Sequence, residues 1–150
     1  MTLLARIITT LFIIRVLYAA SIVVAGFALR LGVLPDGLMT GHLADIVLTA
    51  PPALVTAWTI YVAGYLLAGL LLIRRDARAL PVYAAAFCLD LLAWIYLGTV
   101  SSYELALGGL SEALDHVFNL VDICLLGALI WLRSSGWLRQ AAPAGRPALP

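Results

Sequence analysis

Three ionisable residues lie inside long apolar stretches of the sequence, where charged side chains are rare. They are Arg15, Asp90 and Asp122. A charge in the hydrocarbon of a bilayer is costly unless it is paired or wetted. Arginine suits a pair of carboxylates, because its planar guanidinium donates several hydrogen bonds and stays protonated. We therefore take these three residues as a candidate buried charge network.

The three charges fall at similar depths in their stretches. Asp90 is the midpoint of residues 80–100, and Asp122 is the midpoint of residues 111–133. In a first span at residues 7–29, Arg15 lies only about 4–5 Å along the helix axis from the centre. One guanidinium can therefore reach both carboxylates near the middle of a membrane.

A second polar pattern lies on the fourth apolar stretch. Glu112, Asp115, Asn119 and Asp122 follow one another at helical spacing, and they fall in one arc of about 80° on a helix. His116 flanks this arc. The pattern, here called the polar stripe, runs from the outer end of the stretch to mid-membrane, as a path for a proton or a polar substrate would.

Three tyrosines are possible partners of the charge network. Tyr18 lies one turn after Arg15, and Tyr61 and Tyr65 lie near the middle of the second stretch. A tyrosine hydroxyl in lipid needs a hydrogen-bond partner. The sequence has no motif of a catalytic nucleophile or a phosphate loop, and its two histidines lack the spacing of metal or haem ligands. We therefore expect no cofactor and no metal site, and an enzyme is the less favoured class.

The composition indicates the environment of these residues. Hydrophobic residues make up 64% of the 150, charged residues make up 11%, and the mean hydropathy is +1.07. A soluble domain is roughly 45–50% apolar and about 25% charged, and a chain of this length has too little interior to hide the excess. The net charge of +1 gives no field that would attract nucleic acid. The expected partner is therefore the lipid bilayer.

Four stretches are long enough to cross the hydrocarbon as helices, which need about 20 residues. The alternation typical of strands is absent, so the fold class is an all-α polytopic membrane protein, an antiparallel bundle of four transmembrane helices. The predicted transmembrane domain is 1–133, with spans at about 7–29, 53–73, 80–100 and 111–132. Residues 41–50 have the spacing of an amphipathic helix on the outer membrane surface, and residues 134–150 are predicted to form a flexible cytoplasmic tail.

The distribution of arginine gives the predicted orientation. The short connection at 74–78 carries three arginines, whereas acidic residues predominate in the other two connections. Because positively charged loops stay in the cytoplasm, we expect both termini to be cytoplasmic. We place the chain in the inner (cytoplasmic) membrane of a bacterium as a multi-pass protein.

Three interpretations of the charge network stay open. The favoured one is structural, with the three charges holding together a non-catalytic membrane subunit or scaffold, either as a homo-oligomer or within a larger complex. The alternative is a small proton-linked transporter that uses Asp122 and Asp90 as midplane carboxylates. In the third, the first span is placed differently and Arg15 extends to the cytoplasmic interface. The structural interpretation requires direct, dry contact among the charges, and a carrier requires a cavity that connects Asp115 to Asp122.

Overall fold

The computed structural model describes residues 2–34, 41–99 and 110–139, without the side chains of residues 2, 41–43 and 110–115. The helices are α1 (Thr2–Arg30), α2 (Gly41–Thr49), α3 (Pro52–Ile73), α4 (Ala79–Thr99) and α5 (Leu110–Ser134). All of these except α2 contain a segment long and apolar enough to cross a membrane. The prediction of an all-helical protein with four apolar candidate spans is confirmed.

The outer faces of the long helices are apolar. Leu3, Leu11, Ile60, Leu92 and Ile123 are each more than half exposed, although they are large hydrophobic side chains. A helix at the surface of a soluble protein would place polar residues there. These faces therefore match contact with the hydrocarbon of a bilayer.

The four long helices pack in a ring. The closest pair is α3 and α4, α1 packs against α3 and α5, and α4 completes the ring against α5. The short turn at 74–78 makes α3 and α4 antiparallel neighbours. The centre of the main core holds the largest buried apolar side chains, which are Phe12, Tyr65, Leu72, Tyr83, Leu129 and Leu132.

Helix α3 ends in a Schellman motif. The Arg75 N–H donates to the Leu72 carbonyl, and the Asp76 N–H donates to the Leu71 carbonyl. This motif needs a left-handed residue, and Arg75 takes that conformation with φ 57°, a position where glycine is usual. The chain can therefore reverse within a few residues between α3 and α4.

The segment after α5 is held against the α3–α4 turn. The Ala77 N–H donates to the Arg139 carbonyl at 2.9 Å, and the Arg139 N–H donates to the Arg75 carbonyl at 2.7 Å. Leu138 is buried in the main core, and the Arg75 guanidinium lies over the Trp137 ring. Residues 135–139, at the start of the predicted tail, therefore contact the bundle through these two side chains and the two backbone hydrogen bonds. The rest of the predicted tail, 140–150, lies outside the described residues.

Helix α2 covers one end of the bundle. Its residues Ile46 and Val47 are buried, and Val47 packs against Gly26 of α1. The Arg30 guanidinium donates to the carbonyls of Val47 and Ala50 at the end of α2. Arg30 therefore caps this short helix, and the buried face of α2 contacts protein.

Candidate functional site

The centre of the site is an ion pair between α1 and α5. Nη2 of Arg15 donates to Oδ2 of Asp122 at 2.6 Å. The other carboxylate oxygen, Oδ1, accepts from the Tyr83 hydroxyl at 2.8 Å. Asp122 has no exposed surface, and it is the one buried charged residue among the side chains that the structure describes. Both of its oxygens therefore have a partner within the protein.

Asp90 on α4 is the second carboxylate near the guanidinium. Its Oδ2 accepts from the Tyr65 hydroxyl at 3.0 Å and lies 4.0 Å from Nη2 of Arg15. The longer distance allows an electrostatic attraction but exceeds that of a hydrogen bond. The Asp90 side chain retains 14% of its accessible surface, against 0% for Asp122. The two carboxylates therefore differ in environment: Asp122 is sealed and Asp90 is partly accessible.

All four long helices contribute to this network. Arg15 comes from α1, Tyr65 from α3, Tyr83 and Asp90 from α4, and Asp122 from α5. Tyr83 and Asp90 are two helical turns apart and so share a face of α4. Shifting any one helix by a turn would separate at least one donor from its acceptor. The network therefore fixes the relative depth of the four helices.

Aromatic rings complete the surroundings of the Arg15 guanidinium. Its Cζ lies 5.2 Å from the Phe118 ring centroid and 5.8 Å from that of Tyr65, within the range of cation–π attraction. Its buried Nε has no hydrogen-bond partner among the described residues. The positive charge of Arg15 is therefore stabilised by the Asp122 carboxylate, which accepts from Nη2, and by the neighbouring aromatic rings.

A cavity of about 180 Å³ lies beside the network, in the half of the bundle that α2 covers. Arg15 and Asp90 are the deepest residues that line it on α1 and α4, and they are called its floor here. Asp122 does not line the cavity. The walls are rich in aromatic side chains, namely Tyr18, Phe27, Trp58, Tyr61, Trp94 and Phe118. The cavity therefore reaches one carboxylate of the network and not the other.

The predicted polar stripe is described only in part. Asn119 lines the cavity, and the His116 ring lies 5.7 Å from the Trp94 ring. The side chains of Glu112 and Asp115 lie outside the described residues. The described part of the stripe thus leads to the cavity, while Asp122 at its inner end is sealed.

The three tyrosines suggested as partners take different positions. Tyr65 binds Asp90, and Tyr61 packs its ring against Tyr65 at 5.7 Å and lines the cavity. Tyr18 stacks on Phe118 at 4.7 Å and remains 43% exposed. Tyr65 therefore joins the charge network directly, through its hydrogen bond to Asp90.

The sequence places Tyr83 on the face of α4 that carries Asp90, because two helical turns separate them, and so among the tyrosines that could join the network. It does not identify Tyr83 as the partner of Asp122. The spacing of residues along the sequence does not determine how α5 is rotated about its own axis, and this rotation turns Asp122 towards Tyr83. That rotation depends on packing between helices.

We expect Tyr83→Phe to lower the free energy of unfolding by about 1–2 kcal/mol. Interhelical hydrogen bonds in bilayers average roughly 0.6 kcal/mol, but this acceptor also binds the Arg15 guanidinium and has no exposed surface, so no water replaces the lost donor. The measurement is denaturant unfolding in mixed micelles. Tyr96→Phe is the matched control, since Tyr96 is 49% exposed on the same helix. Equal stability of the two variants would contradict this role of Tyr83.

In the part of the chain that the structure describes, no group of three or more His, Cys, Asp and Glu side chains could hold a metal ion. The chain matches no protein-family model, no curated protein and no solved structure.

Proposed function

We propose that this protein is a non-catalytic, multi-pass subunit or scaffold of a membrane complex, with its four spans held together by the polar network around Arg15, Asp90 and Asp122. The supporting observation is that both oxygens of Asp122 are occupied, by Arg15 and Tyr83, in a position without exposed surface. A carboxylate that relays protons or binds substrate must be reached from outside. Asp122 is instead placed as an interhelical contact.

The location of the ion pair fits this role. Polar contacts in a bilayer fix which helices pair and at what depth, because the alternative is a polar group in hydrocarbon. The described residues consist almost wholly of membrane-spanning helices and their connections. Their exposed apolar faces leave room for lateral contact with lipid or with another membrane-embedded chain.

The proposed orientation has both termini in the cytoplasm, in the inner membrane of a bacterium. Arg74, Arg75 and Arg78 lie at the turn between α3 and α4, and Arg139 is held against the same turn. Hydrogen bonds donated by Arg78 hold the pKa of Asp76 below its ordinary value, so this acid is charged and offsets one cation. The remaining excess of arginine favours the cytoplasmic side.

The test of the proposed function is native mass spectrometry of the tagged protein, extracted gently from its own membranes. We expect a second polypeptide in stoichiometric amount. Extraction from cells that carry the untagged protein is the control for non-specific capture. A spectrum that contains only the monomer or only a homodimer of this chain would contradict membership of a larger complex.

A second candidate function is a small proton-linked transporter, and the cavity that reaches Asp90 is the observation that favours it. In this candidate Asp90 is the carboxylate at the substrate site, and Asp122 holds Arg15 in place. Asp90→Asn is expected to abolish uptake of small organic ions into proteoliposomes under an imposed pH gradient. Uptake equal to that of the unchanged protein would contradict this candidate.

A further inference from the structure

The walls of the cavity favour a cation. Aromatic side chains from every spanning helix line it, among them Tyr18 of α1, Trp58 and Tyr61 of α3, Trp94 of α4 and Phe118 of α5. The π-faces of such rings attract cations, with tryptophan the strongest, and desolvation strengthens the attraction. Quaternary ammonium groups are bound in this way when several aromatic rings surround them.

Asp90 brings a carboxylate to the floor of the cavity, beside the Arg15 guanidinium. Arg15, Asp90 and Asp122 together carry a formal charge of −1 when all three are ionised. The Arg15 guanidinium lies at 2.6 Å from Asp122 and at 4.0 Å from Asp90, so its charge is directed mainly to the sealed carboxylate. Asp90 is the carboxylate that the cavity reaches. A ligand cation beside Asp90 would bring the group to neutrality, which lowers the cost of a net charge in an apolar region.

The other arginine at the cavity lies far from this floor. Arg30 is separated from Arg15 by about 22 Å along α1. Its guanidinium donates to the carbonyls of Val47 and Ala50, which belong to the negative end of the α2 dipole. Arg30 thus lies at the far end of the cavity under α2, and the charge balance near the floor is set by Arg15, Asp90 and Asp122 together.

The size of the cavity limits the ligand. Its volume is about 180 Å³, whereas an apolar cavity of about 150 Å³ takes one benzene molecule. There is therefore room for a single ring or short branched chain with a small head group.

From these observations we propose that the cavity is a binding site for a small lipophilic ammonium ion, with Asp90 as the counter-ion and the aromatic walls around the head group. The proposal goes beyond the structural role of the Arg15–Asp122 pair, because it concerns the accessible carboxylate and not the sealed one. Its outcome is independent of whether a second polypeptide co-purifies with the chain.

The test uses the full chain in lipid nanodiscs, with benzyltrimethylammonium as the probe and benzylsulfonate as an anion of similar size. Isothermal titration against protein-free nanodiscs of the same lipid gives the blank. We expect one ammonium ion to bind per chain and the sulfonate to bind at least tenfold more weakly. Equal binding of both ions, tighter binding of the sulfonate, or no saturable binding of the ammonium ion would overturn the proposal.

Variants of Asp90 and Trp58 test whether these residues form the ammonium-binding site. Asp90→Asn is expected to weaken ammonium binding at least tenfold, and Asp90→Glu to retain most of it. Because a change in the network can impair folding, Trp58→Ala provides a second variant outside it, and Trp131→Ala on α5, away from the cavity, is its control. The proposal is overturned if folded Asp90→Asn binds like the unchanged protein, or if Trp58→Ala binds no more weakly than Trp131→Ala.

Discussion

Replacement of Arg15 by leucine is expected to lower the free energy of unfolding by about 3–5 kcal/mol, because it leaves a buried carboxylate without its cation. The carboxylate concerned is Asp122, which has no exposed surface and accepts from Arg15 at 2.6 Å. Asp122→Leu is expected to have a similar effect, since it leaves the guanidinium without its closest acceptor. Each substitution leaves the other member of the pair largely buried, since Asp122 has no exposed side-chain surface and Arg15 retains only 12%.

The double variant Arg15→Leu/Asp122→Leu is expected to recover part of this loss, because no unpaired charge of the pair then remains. Recovery stays incomplete, since Tyr83 loses its acceptor and Asp90 loses its cation. The measurement is a double-mutant cycle of unfolding free energies in mixed micelles. Additive effects of the two substitutions would contradict a direct interaction.

Asp90 supplies an internal comparison for this cycle. It lies 4.0 Å from the same guanidinium nitrogen and retains some accessible surface. Arg15→Leu/Asp90→Leu should therefore recover less stability than Arg15→Leu/Asp122→Leu. A coupling energy with Asp90 that equals or exceeds the one with Asp122 would mean that the structural role had been assigned to the wrong carboxylate.

The second large effect is expected at Gly64, where α3 packs tightly against Ala86 of α4. A Cβ added to Gly64 would lie 2.8 Å from the Cβ of Ala86 and 3.7 Å from its Cα. The Ala86 Cβ is fixed to the backbone and cannot rotate away, so the helices must separate. We expect Gly64→Ala to cost about 1–3 kcal/mol, the range for overpacking in a tight core.

Two further variants serve as controls for Gly64→Ala. Gly127→Ala on α5 meets nothing within 4 Å, so it is expected to be neutral or stabilising by up to about 1 kcal/mol. Gly64→Ala/Ala86→Gly moves the methyl group to the other helix and should recover much of the loss. Thermal unfolding of the set in one detergent checks this, and equal stability of Gly64→Ala and Gly127→Ala would refute the close approach.

The general fold could be predicted from the sequence because hydropathy and length alone determine which stretches cross a membrane. The common depth of Arg15, Asp90 and Asp122 also follows from the sequence, since the rise per residue of a helix is constant. In the structure these three side chains lie within ion-pair distance. The depth of each charged residue along its helix axis could therefore be predicted from the sequence.

The rotation of each helix about its own axis could not be predicted from the sequence in the same way. Asp90 and Asp122 are both midpoints of apolar stretches, and nothing in the sequence distinguishes the sealed one from the accessible one. Packing decides this, and packing depends on contacts such as that of Gly64 with Ala86.

The connections were the other part that sequence patterns described poorly. Arg30 binds the end of α2 through carbonyl oxygens, which every residue has and which therefore leave no pattern. Residues 135–139 contact the bundle through two apolar side chains, Trp137 and Leu138, and through backbone hydrogen bonds, within a segment of low overall hydropathy. Hydropathy averaged over the whole segment does not reveal a contact made by so few residues.

The most direct test of the central claim, a mid-membrane contact between Arg15 and Asp122, is dipolar-recoupling NMR of the protein in lipid bilayers. With ¹⁵N-arginine and ¹³C-aspartate, we predict a strong coupling from Arg15 Nη to the Asp122 carboxyl carbon, and a weaker one to that of Asp90, in keeping with nitrogen–oxygen distances of 2.6 and 4.0 Å. A coupling from Arg15 to lipid ³¹P, with none to Asp122, would contradict the claim, because the side chain would then reach the head groups.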